Sequence, residues 1–216
     1  MGNDLNSNFL ENAVDELERM AVEEAIKRRC FNPNPTALVV PDGRCNLSFE
    51  LARKGVLVTA ADSGEWDDDD AACLYPATTR SHVNFQPISL TKLSKDLPNE
   101  PFDLIFCSRN FCSLPYPQAR EVVRNLLRRL KIGGRLYLSV LGLHSELGDG
   151  YADADKEVNQ RYCELKPDLA EKYTISGPVC LYTERNFFTL ILEAGGGVLR
   201  SFTTTHGNVK GVAVRI

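Results

Sequence analysis

The sequence has no Cys-x-x-Cys pair, no apolar run near the length of a membrane span, no surplus of basic charge and no Gly-x-Gly-x-x-Gly loop. Each absence removes a class of protein. The cysteines number seven, an odd count scattered through apolar segments, which excludes a disulfide framework and a zinc site. Cys107 and Cys112 have no nearby histidine, so no metal site is expected. Acidic residues outnumber basic ones 29 to 25, giving a net charge of −4 and no general attraction to a phosphate backbone. Lys27-Arg28-Arg29 and the cluster from Arg124 to Lys131 fall on predicted helices and read as solvated faces. The opening MGNDLNSNFLENAVDE is acidic and lacks the apolar core of a signal peptide, and Ser7 is one place beyond the myristoylation pattern. No apolar run suits a membrane span. These readings predict a cytoplasmic chain with no membrane partner and no nucleic-acid partner, and they leave the oligomeric state open.

What is present is an alternation of helix-like and strand-like segments. Apolar residues at helical spacing predict a helix over about 8–30, closed by Asn32-Pro33-Asn34-Pro35. Thr36 to Val40 is a short apolar strand, Leu47 to Lys54 a helix capped by Gly55, and Val56 to Ala61 a second strand ending at Asp62. Asp67 to Asp70 read as a solvated loop or helix start, since adjacent carboxylates point apart. Strands are predicted at Val83 to Pro87 and at Phe102 to Cys107, with a helix over Pro117 to Leu130. Gly133-Gly134 is read as a turn into a central strand, Arg135 to Leu141.

Residues 142–182 are polar and irregular, an insertion of the length usually kept for function. Thr183 to Ala194 is a helix with Thr183 as its N-cap, followed by Gly195-Gly196-Gly197. Val198 to Thr205 and Val209 to Ile216 are strand-like, and His206-Gly207-Asn208 joins them as a hairpin. The whole predicts a Rossmann-like, seven-stranded, mostly parallel α/β sheet with an antiparallel C-terminal hairpin and helices on both faces. Residues 1–35 form an N-terminal helix and linker, read either as a lid or as ordinary packing, and 36–216 the main domain.

The most informative stretch is ALVVPDGRCNLSFELARKGVLVTAAD, Ala37 to Asp62. A strand, a short turn, a helix and a second strand closing on an acid build a nucleotide pocket in open α/β sheets. The turn itself, Pro41-Asp42-Gly43-Arg44-Cys45-Asn46, holds a single glycine where such turns usually hold several.

In order and spacing these segments resemble the class I S-adenosylmethionine-dependent methyltransferases, in the small-molecule branch. The likeness covers roughly Thr36 to Ile216. It rests on Leu51-Ala52-Arg53-Lys54-Gly55, Val58-Thr59-Ala60-Ala61-Asp62, Phe102-Asp103-Leu104-Ile105-Phe106, Leu130-Lys131-Ile132-Gly133-Gly134-Arg135-Leu136 and the final hairpin.

The resemblance implies S-adenosylmethionine as cofactor, a small-molecule acceptor, and cofactor contacts from Asp42, Gly43, Arg44, Asp62, Ser63, Ser89, Leu90, Cys107 and Ser108. Asp62 takes the ribose-binding role. The family's glycine-rich turn falls on Pro41 to Cys45 and its preceding acid on Val39, so two glycines and an acid are missing. The acid usual at the end of the third strand is Ser89 here. A catalytically inactive, methyltransferase-like binding or regulatory protein is therefore the alternative to an active enzyme.

No catalytic residue is assigned. Candidates for a general base lie in Cys107-Ser108-Arg109-Asn110-Phe111 and, in the insertion, at His144, Glu146, Asp149 and Tyr151. His206, in the hairpin turn, is read as structural.

Overall fold

A computed structural model describes residues 15–40, 46–62, 76–88, 101–108 and 110–216. Seven strands form one sheet: β1 (Thr36–Val40), β2 (Leu57–Asp62), β3 (Val83–Pro87), β4 (Phe102–Ser108), β5 (Leu130–Val140), β6 (Gly196–Thr203) and β7 (Val209–Arg215). Their order is β3-β2-β1-β4-β5-β7-β6. β1 to β5 pair in parallel, and β7 runs antiparallel between β5 and β6. The mostly parallel sheet with an antiparallel terminal hairpin is the one the sequence predicts. The acidic run from Asp67 and the helix predicted after it lie outside the described residues.

The helices are α1 (Glu16–Arg29), α2 (Asn46–Arg53), α3 (Ala77–Arg80), α4 (Tyr116–Arg129), α5 (Pro167–Lys172) and α6 (Glu184–Ala194). On one face α1 and α2 pack Leu17, Ala21, Leu47 and Leu51 against Ala37, Val39, Val58, Leu104 and Phe106. On the other, α4 and α6 pack Val123, Leu126, Phe187 and Leu190 against Leu38, Val40, Ile105 and Leu138. Successive residues of β1 thus enter different layers, which is why that strand is apolar throughout.

α2 ends in a six-residue wrap. The Gly55 N–H donates to the Ala52 carbonyl at 2.8 Å and the Val56 N–H to the Leu51 carbonyl at 3.2 Å. The wrap needs a left-handed residue, and Gly55 sits at φ +81°. It sends the chain straight into β2 and so sets where that strand ends, at Asp62.

β5 begins earlier than the sequence predicts. Leu130 already pairs with Phe102, after which the register jumps to Arg135 opposite Leu104. Lys131 to Gly134 are absorbed as a bulge, and the bulge is held by polar contacts: Arg28 Nη2 donates to the Gly133 carbonyl at 2.6 Å, and Lys131 Nζ to Asp103 Oδ2 at 2.7 Å.

These contacts belong to a buried network at the amino end of the sheet. Asp103 Oδ2 also accepts from the Thr36 N–H at 2.9 Å and the Thr36 hydroxyl at 3.1 Å. Glu24 of α1 pairs with Arg28 at 2.9 Å and with Arg135 at 2.8 Å. Both carboxylates are buried. Of the basic clusters, Lys27, Arg29 and Arg128 are exposed as expected, while Arg28 and Lys131 reach in to the two buried carboxylates, because strand and helix ends converge there. At the other end of α1, Asp15 caps the helix through the Leu17 N–H and accepts from Lys210 Nζ at 2.9 Å. α1 is fastened at both ends as a layer of the fold.

The insertion leaves and returns at one place. The Leu143 N–H donates to the Tyr182 carbonyl at 2.8 Å, and the Tyr182 N–H to the Leu141 carbonyl at 2.9 Å. Such a closed loop leaves the sheet undisturbed. Its interior is organised by Arg161, a buried arginine that donates to the carbonyls of Leu181 (2.8 Å), Lys156 (2.7 Å), Asp153 (3.3 Å) and Ala154 (3.3 Å) and to Asn186 Oδ1 (3.1 Å). Among the described residues no helix is long and apolar enough to cross a membrane.

Burial alone would raise the Asp103 carboxyl, but hydrogen bonds from Lys131 and Thr36 outweigh it and hold the group below the usual carboxylate range. A depressed native value contributes stability above the unfolded-state pKa of about 3.9 and loses it as pH falls through the native value. Asp103→Asn should lower unfolding stability at pH 7 by about 2 kcal/mol, the scale of lost hydrogen bonds to a charged group, since Lys131 stays partly in solvent. Urea titrations should show the gap between variant and parent closing below about pH 4.

Candidate active site

Four parallel strands end side by side at the carboxyl edge of the sheet. Val39 of β1 stands opposite Ala60 of β2, so Asp62 projects just past the end of β1, while Val40 stands opposite Cys107 of β4 and Ser108 opposite Ser139 of β5. Strand order reverses direction between β1 and β4, with β2 and β3 on one side and β5 on the other. Ligands of open α/β sheets bind at that reversal, outside the carboxyl ends. Asp62 is half-buried at the last position of β2, where a carboxylate is fixed by the strand and reaches solvent.

The sequence-predicted cofactor residues divide into two groups. Asp62, Cys107 and Ser108 are brought together at this edge. Asp42, Gly43, Arg44, Ser63, Ser89 and Leu90 lie outside the described residues, as does Arg109. Cys107 is fully buried, and burial pushes its thiol well up, with the Cys112 thiol adding to it. It is a core residue whose contribution to a ligand would come from its main chain. Ser108, one residue on, is partly exposed. Phe111 is buried edge-on to Tyr182, with ring centroids 6.3 Å apart.

The insertion candidates separate as well. Tyr151 is buried, donates to the Val179 carbonyl and accepts from the Cys163 N–H at 3.3 Å. Burial pushes its phenol far up, and its role is to hold the insertion together. Asp149 is exposed on the loop. His144 and Glu146, by contrast, line a cavity of about 260 Å³ with Ser145, Leu147, Tyr173 and His206. The hairpin histidine read as structural is thus brought to the same hollow as the insertion histidine. Glu146 accepts from Lys172 Nζ at 2.5 Å and from the Tyr173 hydroxyl. Those two contacts hold its carboxyl below the usual range.

Beside this cavity two backbones are in direct contact. A Cβ on Gly142 would lie 1.6 Å from the Gly207 carbonyl oxygen, and one on Gly207 would lie 2.5 Å from Ser145 Cα. Gly207 is also left-handed, at φ +81°. The Gly142 N–H donates to Asn208 Oδ1 at 3.4 Å and closes the crossing. Sequence reasoning missed this pairing because the two glycines are far apart in the chain and each resembles an ordinary turn residue. Arg161 was missed too, since an arginine in a polar segment gives no sign that it is buried.

Residues 40–138 match the family described as "Methyltransferase domain". No curated protein sequence matches the chain. Among solved structures, an S-adenosylmethionine-dependent methyltransferase from Clostridium acetobutylicum superposes with a TM-score of 0.63 at 12% identity, over 96% of this chain and 94% of that one. A SAM-dependent methyltransferase from Methanosarcina mazei gives 0.61 at 19% identity, over 88% and 97%. The 1,6-didemethyltoxoflavin-N1-methyltransferase of Burkholderia thailandensis, solved with 1,6-didemethyltoxoflavin and S-adenosylhomocysteine, gives 0.61 at 16%, over 90% and 78%. These likenesses show the fold. The seven-stranded sheet has the fold of the class I S-adenosylmethionine-dependent methyltransferases, and residues 40–138 are similar to the methyltransferase-domain family.

Gly142→Ala should cost about 1–3 kcal/mol of unfolding stability, the range for forcing a methyl group into filled space. Thermal unfolding checks the cost. An alanine tolerated without loss would mean that the two loops can part.

Proposed function

We propose, from the methyltransferase-domain match of residues 40–138 and the class I fold of the sheet, that this chain transfers a methyl group from S-adenosylmethionine to a small-molecule acceptor. The observation that carries the reading is Asp62, a carboxylate held at the end of β2 beside the strand-order reversal. There it accepts hydrogen bonds from the two ribose hydroxyls of the cofactor. Asp42, Gly43, Arg44 and Ser63 lie next to it in sequence, Ser89 and Leu90 follow β3, and the main chain of Cys107 with Ser108 completes the set. Bound there, S-adenosylmethionine supplies an already activated methyl group, so the chain's own work is positioning and the exclusion of water.

A small acceptor is supported by the absence of a basic–aromatic surface pattern and by the toxoflavin-type ligand of one structural neighbour. A cytoplasmic setting agrees with the free thiols of the five cysteines among the described residues. The alternative, a binding or regulatory protein without activity, is favoured by one observation: the Pro41 to Asn46 turn keeps one glycine and lacks the acid before it. Fewer glycines mean fewer close backbone approaches to a ligand.

Calorimetry and thermal shift with S-adenosylmethionine and S-adenosylhomocysteine decide the matter. At a hundredfold excess over Kd, binding should stabilise the chain by about 2.7 kcal/mol. Asp62→Ala should weaken either ligand at least about tenfold, the loss of a charged hydrogen-bond acceptor. Silence from both ligands at millimolar concentration would sink the enzyme reading, and an unchanged affinity in the variant would refute the ribose role.

A further inference from the structure

We infer that the cavity between the insertion and the β6–β7 hairpin seats the methyl acceptor and selects a small organic anion. The inference rests on the methyl-transfer reading of the crevice and adds the chemical class of the acceptor.

Three observations carry it, and the first is position. His144 lies four residues past the end of β5, and His206 lies in the loop between β6 and β7. β6 and β5 both run antiparallel to β7, so β6 is parallel to β5 and to β4. Both loops therefore emerge at the sheet edge where β2 ends in Asp62.

The second is charge. Among the described residues Glu146 is the one acid lining the cavity, and both its oxygens are taken, by Lys172 and Tyr173. An acceptor meets that carboxylate as half of an ion pair. His144 and His206 line the same space, are exposed, and have no hydrogen-bond partner among the described residues. A ring N–H donates a hydrogen bond to an anion, and a nearby anion favours the protonated form of an imidazole. Ser145 offers no competing recognition: its hydroxyl donates to the Gly142 carbonyl at 2.7 Å and accepts from the Leu147 N–H at 3.3 Å. Asn208 turns its carbonyl oxygen to the Gly142 N–H, which leaves its amide group as a donor. The set comprises two imidazoles, the Asn208 amide, the Thr205 and Tyr173 side chains and an acid already engaged by Lys172 and Tyr173. It favours an anion and penalises an amine.

The third is size. A cavity of about 260 Å³ is just under the range of roughly 300–1,000 Å³ for drug-sized ligands, and the two segments lining it are fixed by the Gly142–Gly207 crossing beside it. It suits a small metabolite better than a segment of polymer.

The chain contains three histidines, so each imidazole gives its own resolvable proton resonance, assigned with His82→Gln, His144→Gln and His206→Gln. His82 bonds the Thr78 carbonyl through Nδ1 and serves as the internal control. Benzoate, benzyl alcohol and benzylamine are the probes, of nearly equal shape and different charge. Benzoate should move the His144 and His206 resonances and raise their titration midpoints by about half a pH unit or more, the sign expected for a nearby anion. The His82 resonance should stay in place, and neither other probe should act. The double variant His144→Gln/His206→Gln should lose the benzoate affinity measured by calorimetry. Saturating S-adenosylmethionine, cationic at sulfur, should tighten benzoate at least about threefold more than neutral S-adenosylhomocysteine does, since neighbouring opposite charges couple.

Benzylamine binding as well as benzoate, or all three histidines shifting alike, would overturn the anion selectivity. Benzoate binding that ignores the cofactor's charge would overturn the acceptor assignment. Failure of the cofactor to bind, with the histidines still responding to benzoate, would overturn the methyl-transfer reading and sustain the anion pocket.

Discussion

The carboxylate of Asp103 is the contact on which the arrangement of this fold depends. It lies at the start of β4 and is met by Thr36 from β1, Arg28 from α1 and Lys131 from the bulge of β5. Few side chains could hold a helix and three strands at once. A carboxylate can, because its two oxygens accept several donors and because leaving any donor behind in the interior is costly. Glu24 repeats the arrangement a short distance along α1, with Arg28 shared between the two acids. The amino edge of the sheet is thereby fixed by charge, and the carboxyl edge is left to loops, where α/β folds keep their ligands.

The fold was legible in the sequence because its determinants are local. β1 reads as a strand since both its faces are buried. Gly55 reads as a cap because a left-handed residue after Lys54 admits few alternatives, and Thr183 reads as an N-cap whose hydroxyl does accept from the Asn186 N–H at 3.1 Å. The bulge at Lys131 to Gly134 was not legible. A Gly-Gly pair reads as a turn unless one knows that Asp103 and Arg28 are waiting to hold it inside the sheet. Within the basic clusters Arg28 and Lys131 depart from the solvated-face reading for the same reason: helical position predicts a side chain's direction but is silent about a carboxylate contributed from another strand.

The candidate site was legible at one point and opaque at another. Asp62 is identified by position alone, an acid that ends an apolar strand. The hollow around His144 and His206 depends on two segments separated in sequence by most of the insertion and all of α6, and no spacing rule connects them. Arg161 shows the same limit from within the insertion. Its donors are spent almost wholly on main-chain carbonyls, so no complementary acid in the sequence announces where it goes. Interior organisation of this kind belongs to segments too irregular to satisfy their own backbone.

The Gly142–Gly207 crossing has a consequence for how this protein can vary. The root of the insertion and the tip of the hairpin share one volume of space, so their sequences cannot drift independently. A lineage that rewrote residues 142–182 would have to keep the hairpin tip or replace both together. The same holds for grafting: the insertion and the hairpin form one exchangeable cassette, joined without a covalent bond, and transplanting either alone would carry half a lock.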